Sequence, residues 1–330
     1  MQYPSCEMSR SRRFVSLLYA VALCVSCITV FSSLLSRNYE TLVRSVAFSP
    51  SGSPELSVSR SCVADEFLPS VLKSGMPQQS DYGELLSNEL YLDMEKYAES
   101  FNSRHAQVLQ EYGQSWVVDS FHWWSRVYEY PYVYSRLMRY ACGKRNLRVL
   151  DIGAGVSFFP WLIQSRLGLG STMLASDFNP KYPAWYKRIN LRDEAQVSFS
   201  GSDMRNDVKE FRDGEYDIIY SISVLEHTDS YASIIQNVKR MLKPGGRFIL
   251  TFDVVAENEV GSIPLSEAEE IFRCLRREFV EVEGADLSLL AALSSDPVVP
   301  ATFPNFTVEH LLGKRMSFTC HEFVKPEVTL

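Results

Sequence analysis

From Leu147 onward, short apolar segments alternate with amphipathic ones, and this alternation constrains the fold more than any other feature of the sequence. The apolar segments predict five strands, at 148–152, 172–176, 196–200, 216–222 and 247–254. The amphipathic segments predict helices at 158–166, 183–191, 204–211, 231–242 and 266–278. With two further strands at 279–283 and 316–323, we expect an α/β, Rossmann-like, doubly wound sheet of seven mostly parallel strands.

Residues 83–142 precede this sheet and are predicted to form a mostly helical cap. Their second half is rich in aromatic residues: Trp116, Phe121, Trp123, Trp124, Tyr128, Tyr130, Tyr132 and Tyr134. One interpretation is a helical layer packed on the sheet. The other is a wall of a substrate pocket, because flat aromatic faces pack well against ligands.

The N-terminal part of the chain contains a run without charged residues, 14–36, which is flanked by arginines on both sides. The run is long enough to cross a bilayer and predicts a transmembrane signal anchor after a short tail, 1–13. A cleaved signal peptide is the alternative. The arginine bias places the N-terminus in the cytoplasm and the catalytic part in an ER or Golgi lumen. Residues 37–82 are rich in Ser, Pro and Gly and predict a stem or linker. A secreted or organelle-targeted protein remains an alternative.

The charge and the metal-binding residue types exclude some classes of partner. The formal net charge is −7, from 33 basic and 40 acidic residues, and an acidic chain is not expected to bind nucleic acid. The five histidines are scattered and the cysteines lack metal-ligand spacing, so no metal site is predicted. Disulfides could form among Cys62, Cys142, Cys274 and Cys320 in an oxidising compartment, and their pairing stays open, as does the oligomeric state.

A glycine turn, VLDIGAG at 149–155, follows the first strand and opens a helix. Glycines there let the backbone turn tightly and approach a ligand closely. A dinucleotide-binding pattern would need a third glycine at the position of Phe158. Asp151 would repel a pyrophosphate and attract a cation. Both features count against an NAD-dependent oxidoreductase, which stays a competing hypothesis.

Four more motifs follow in order: Asp177 at the end of the second strand, GSDM at 201–204, SVLEH at 223–227 and LKPGG at 242–246. With the glycine turn, they make the chain resemble the class I S-adenosylmethionine-dependent methyltransferases, and within them the type 11 group. The resemblance covers about 147–254 and implies a methyltransferase domain over 143–330, with S-adenosylmethionine as cofactor.

The resemblance also implies a role for individual residues. Asp151 and the turn at Gly153, Ala154 and Gly155 would lie beside the methionyl part of the cofactor. Asp177 would accept hydrogen bonds from the ribose hydroxyls. Asp203 and the backbone of Met204 would contact the adenine, and Ser223 would lie near the transferable methyl group.

A hydroxyl acceptor would benefit from a general base, for which His227 is the first candidate, Asp253 the second and His122 the third. Glu129 is assigned to a structural hydrogen-bond network instead. The acceptor is expected to be a small molecule or a glycan, with a sugar hydroxyl preferred. A small-metabolite or lipid methyltransferase and a catalytically inactive binding or scaffold module remain alternatives.

Overall fold

A computed structural model describes residues 69–206, 208–228, 230–255, 263–285 and 316–327. The predicted tail, the anchor at 14–36 and most of the stem lie outside these residues. Within them, no helix combines the length and the apolar character needed to cross a membrane.

The core of this unit is a sheet whose strands are β1 (Arg148–Ile152), β2 (Thr172–Ser176), β3 (Ser198–Ser200), β4 (Tyr216–Ile222), β5 (Leu242–Val255), β6 (Ile263–Pro264), β7 (Val280–Glu281) and β8 (Met316–Val324). The spatial order is β3-β2-β1-β4-β5-β8-β7, with β6 beside β5. Strands β1 to β5 are parallel, and β8 runs antiparallel to β5 and β7. The mostly parallel, Rossmann-like sheet is therefore confirmed. It has eight strands in the described residues because the short β6 was not predicted.

The helices are α1 (Gln79–Leu85), α2 (Glu89–Tyr112), α3 (Arg126–Ala141), α4 (Phe159–Arg166), α5 (Tyr182–Asp193), α6 (Tyr231–Met241) and α7 (Leu265–Glu278), with 3-10 turns at Ser115–Val117 and Leu225–His227. The helix predicted at 204–211 is wrong, because its described residues form turns. Side chains of α6 bind the backbone carbonyls there: Asn237 donates to Met204 and Asn206, and Arg240 donates to Val208 and Phe211. Carbonyls satisfied in this way need no helical partner.

The cap is α1 to α3, and its aromatic residues are mainly core. Tyr128 and Tyr132 of α3 have no exposed surface. Arg136, also buried, donates to Glu283 at 2.5 and 2.7 Å and to the carbonyl of Leu72 at 2.6 Å. Residues 69–82, which composition assigns to the stem, are folded here, and Gly75 forms a β-bridge with Cys320.

The strand order reverses between β1 and β4. From β1 the chain continues to β2 and β3 on one side of β1, and it then crosses over to β4 and β5 on the other side. A crevice forms at such a switch point, beyond the carboxyl ends of the strands, and ligands of doubly wound folds bind there. The topology thus brings the loops after β1, β2, β3 and β4 to one edge.

Phe158 explains why the third glycine of a dinucleotide pattern is missing. Its side chain is fully buried, with ring centroids of Tyr130 at 5.1 Å, Phe121 at 5.9 Å and Phe159 at 6.0 Å. The position belongs to the packing between the cap and α4 and does not face a pyrophosphate.

We expect Phe158→Ala to lower the free energy of unfolding of the full-length protein by about 3–5 kcal/mol, because it leaves a cavity among aromatic rings. Leu191→Ala is the matched control, since Leu191 is 82% exposed and its truncation should cost less than about 0.5 kcal/mol. Urea unfolding followed by circular dichroism measures both. Equal, small losses in the two variants would contradict this packing role.

Candidate active site

A cavity of about 320 Å³ opens at the carboxyl ends of β1, β2 and β4. It is lined by all eight residues that the resemblance assigns to the cofactor and by one candidate base: Asp151, Gly153, Ala154, Gly155, Asp177, Asp203, Met204, Ser223 and His227. The cap closes one side with Tyr112, Trp116, Trp123, Arg126 and Tyr130. Most residues of the aromatic segment are therefore core, while Trp116, Trp123 and Tyr130 line the cavity, and a role in substrate contact stays a prediction.

The glycine turn passes through a space that only glycine fits. Gly153 and Gly155 have φ angles of 72° and 54°, in the left-handed region. A Cβ atom on Gly153 would lie 2.4 Å from a methyl carbon of Val224, and one on Gly155 would lie 3.1 Å from the ring of Trp116. Two hydrogen bonds to the end of β2 also hold the turn in place: the amides of Gly153 and Ala154 donate to the carbonyl of Ser176 at 2.8 and 3.1 Å.

Two acids flank this turn, Asp151 buried and Asp177 half-buried, and both suit the implied cofactor. Burial raises the pKa of Asp151 well above its ordinary value, so a cation bound beside it would stabilise its charged form. The ammonium and sulfonium groups of S-adenosylmethionine are such cations. Asp177 accepts from the amide of Gly155 at 3.1 Å and from that of Asn179 at 3.2 Å, and it keeps lone pairs for ribose hydroxyls. Burial also raises the pKa of Asp177.

Two residues that the sequence did not single out, Phe178 and Arg205, line the cavity beside Asp203. Arg205 donates to both carboxylate oxygens of Asp203, at 2.8 and 2.7 Å, and this bonding lowers the pKa of that acid. The guanidinium carbon lies 5.1 Å from the ring centroid of Phe178. Phe178 directly follows Asp177 at the end of β2, a position that could have suggested its role.

The loop after β4 begins with a strained residue. Ser223 has a φ of 48°, which is uncommon for a residue other than glycine, and its amide donates to the carbonyl of Thr251 at 3.0 Å. The hydroxyl of Ser223 donates to Glu129 at 2.9 Å and accepts from Arg126. Glu129 is completely buried and also accepts from Ser125 at 2.7 Å, in agreement with its predicted structural network.

The three candidate bases have different surroundings. His227 is exposed at the cavity, and its imidazole makes no hydrogen bond to the described residues. Partial desolvation of the ring and the charge of Arg126 lower its pKa, so the ring is neutral near pH 7. Asp253 does not line the cavity and accepts from Trp124 Nε1 at 3.1 Å. Burial and the charge of Glu129 raise the pKa of Asp253 to about 7.

Both ring nitrogens of His122 have a carboxylate partner. Nδ1 lies 2.9 Å from a carboxylate oxygen of Asp119, and Nε2 lies 2.9 Å from one of Glu95. The bond to Asp119 raises the pKa of His122 to about 9, so the ring is cationic at neutral pH and has no free nitrogen to accept a proton. Of the three candidates, His227 is the one in the cavity with a neutral, available ring.

Residues 150–250 match a family model described as a methyltransferase domain. This segment is a methyltransferase domain. The match covers the strands and loops that carry most of the cavity, and it agrees with the resemblance drawn from the motifs.

Similar proteins differ in their chemistry. The lovastatin diketide synthase mokB of Monascus pilosus is 30% identical over 122 residues, which are 35% of this chain and 5% of the synthase. A ubiquinone biosynthesis O-methyltransferase of Xanthomonas oryzae pv. oryzae is 30% identical over 104 residues, 32% of this chain and 42% of that protein. The solved phosphoethanolamine N-methyltransferase 2 of Haemonchus contortus is 19% identical, with a TM-score of 0.40 over 58% of this chain and 51% of that one. The chain thus spans less than half of the length of the synthase and of the O-methyltransferase.

We expect Asp177→Asn to weaken binding of S-adenosylhomocysteine at least tenfold. The amide replaces an ionised acceptor, and a hydrogen bond to a charged group contributes about 1.5–3 kcal/mol. Isothermal titration calorimetry of the full-length protein measures the affinity. Asp213→Asn is the control, because the side chain of Asp213 is 79% exposed and outside the cavity. Unchanged affinity in Asp177→Asn would contradict the assignment of the ribose site.

Proposed function

We propose that the protein transfers a methyl group from S-adenosylmethionine to a hydroxyl oxygen of a small-molecule or glycan acceptor. The observation that carries this proposal is the neutral imidazole of His227 in the same cavity as the residues suited to the cofactor. An alcohol must lose its proton as it attacks, whereas an amine only needs to arrive neutral. A free, neutral base at the site favours oxygen as the acceptor atom.

The bound cofactor supplies an electrophilic methyl group on a sulfonium. The residues of this chain would hold the acceptor oxygen in line with that carbon, and such positioning can contribute about 7–11 kcal/mol. His227 would take the hydroxyl proton as the oxygen–carbon bond forms, and it would later release the proton to water. The aromatic wall would exclude water from the reacting atoms.

A sugar is our preferred acceptor. The wall contains Trp116 and Trp123, and Trp123 is 36% exposed. Flat aromatic faces of this kind can pack against the C–H face of a sugar ring. An aromatic ring would pack on the same wall, and a phenol is the second candidate because one relative is a ubiquinone biosynthesis O-methyltransferase.

We expect His227→Ala to lower kcat about 10²–10⁴-fold on a hydroxyl acceptor, the usual contribution of a positioned general base. The measurement is methyl transfer from radiolabelled cofactor to a panel of sugars, phenols and amines by the full-length protein. In the wild type, activity should fall as the pH drops through the lowered pKa of His227, below about 6.5, where the ring becomes protonated.

Two controls separate a base from a structural role. Added imidazole should partly restore the activity of His227→Ala, while affinity for S-adenosylhomocysteine stays within about threefold of the wild type. An active His227→Ala without imidazole would remove His227 from the mechanism. A wild type that methylates only amines would refute the hydroxyl acceptor.

We further propose that residues 14–36 anchor the protein in an ER or Golgi membrane, with the catalytic part in the lumen. The uncharged run and its flanking arginines support this orientation. Cys142 is disulfide-bonded, which fits an oxidising compartment, and Asn305-Phe306-Thr307 is a glycosylation acceptor pattern.

In intact microsomes, a C-terminal tag on the full-length protein should be protected from protease and become sensitive when detergent is added. A glycosidase should also increase gel mobility, and Asn305→Gln should abolish that change. Digestion of the tag in intact vesicles would refute the lumenal orientation.

A further inference from the structure

Arg126 begins α3 and brings the cap into the cavity. Its Nη1 donates to Ser125 at 3.2 Å, to Glu129 at 2.5 Å and to the hydroxyl of Ser223. Ser125 directly precedes α3, Glu129 lies within α3, and Ser223 begins the loop after β4. Nη1 of Arg126 is therefore bonded both to the cap and to the loop after β4.

The other edge of the guanidinium, formed by Nε and Nη2, can bind a molecule in the cavity. Neither atom donates to a described residue. Neither belongs to the fully buried polar atoms without a partner, so both keep some accessible surface. The side chain is 14% exposed and lines the cavity together with His227 and Ser223. Two N–H groups can thus donate to a molecule in the cavity.

The surrounding charges decide which kind of molecule suits this edge. Glu129 forms a buried ion pair with Arg126 and compensates its charge. Nearby, Glu226 is also buried, and burial together with the charge of Asp253 raises its pKa well above the ordinary value. A compensated guanidinium offers directed donors without a large excess of positive charge. This favours a neutral hydroxyl over a carboxylate or a phosphate.

We propose that Arg126 is a catalytic residue that donates to the acceptor hydroxyl oxygen and stabilises the negative charge that develops there during methyl transfer. The inference rests on the proposed function and completes it. The hydroxyl oxygen lies between Arg126 and His227; its proton passes to the imidazole, its electron pair forms the bond to the methyl carbon, and the carbon–sulfur electron pair stays on sulfur. Arg126 remains protonated throughout, as guanidinium groups do in proteins.

Arg126→Gln tests this role, because glutamine retains polarity but loses the charge and the forked donors. We expect kcat on a hydroxyl acceptor to fall about 10²–10³-fold, as when one donor to a developing oxyanion is removed. Affinity for S-adenosylhomocysteine should stay within about threefold, measured by calorimetry. The acidic limb of the pH profile should move to higher pH, because Arg126 is the charged group that lowers the pKa of His227.

Two further variants make the result decisive. Arg126→Lys keeps the charge opposite Glu129 but loses the planar fork, so it should fold and show an intermediate kcat. Arg188→Gln is the matched control, since Arg188 pairs with Glu111 at the surface away from the cavity and should keep the wild-type kcat. If Arg126→Gln does not fold, the kcat of Arg126→Lys decides the question.

Some outcomes would overturn the inference. If Arg126→Gln, or Arg126→Lys in its place, methylates a hydroxyl as fast as the wild type, Arg126 does not act on the acceptor. If cofactor affinity falls as much as kcat, with no shift of the acidic limb, Arg126 only holds the loop at Ser223. A wild type that binds the cofactor and methylates amines but no hydroxyl would instead refute the proposed function itself.

Discussion

The buried hydrogen-bond network around Glu129 joins the two parts of the catalytic unit. Glu129 lies on α3 of the cap and accepts from Ser223, which begins the loop after β4. That loop also carries His227, and its first residue has a left-handed backbone. Because an unpaired buried carboxylate is very costly, Arg126 and the serine hydroxyls must stay in place around Glu129. The cap, the loop and the cavity are therefore positioned together.

The acids of this unit lie in different environments. Asp151 is buried and Asp177 half-buried beside the glycine turn, where a cationic cofactor with ribose hydroxyls would satisfy them. Glu226 and Asp253 lie behind the cavity and have raised pKa values. His227 lines the cavity, and desolvation and the charge of Arg126 lower its pKa. The acids beside the glycine turn and the histidine proposed as the base thus lie in separate electrostatic surroundings.

Local sequence predicted most of the sheet because the apolar segments are short and bounded by turns. The bounds of β1, β2 and β4 agree with the structure, since each is a short, mostly apolar segment whose residues are largely buried. The helix at 204–211 failed because its carbonyls are satisfied by Asn237 and Arg240, which are distant in sequence. The two-residue β6 exists only because β5 provides its partner.

The cofactor residues could be predicted because each directly follows a strand, and the ends of parallel strands meet at one edge of the sheet. Arg126 could not be predicted in this way, since it acts on Ser223 across 97 positions of the chain. Asp253 lies two residues before the end of β5, where it accepts from Trp124 and does not line the cavity.

The sequence by itself determined the strand–helix alternation and the glycine turn, because backbone conformation and apolar periodicity are local properties. Only the tertiary structure decided which aromatic residues of the cap face the cavity, that His227 lies there without a hydrogen-bond partner among the described residues, and that Arg126 lines the same cavity. Those features depend on burial and on contacts between distant segments, and hydrogen bonds and pKa values follow from these surroundings.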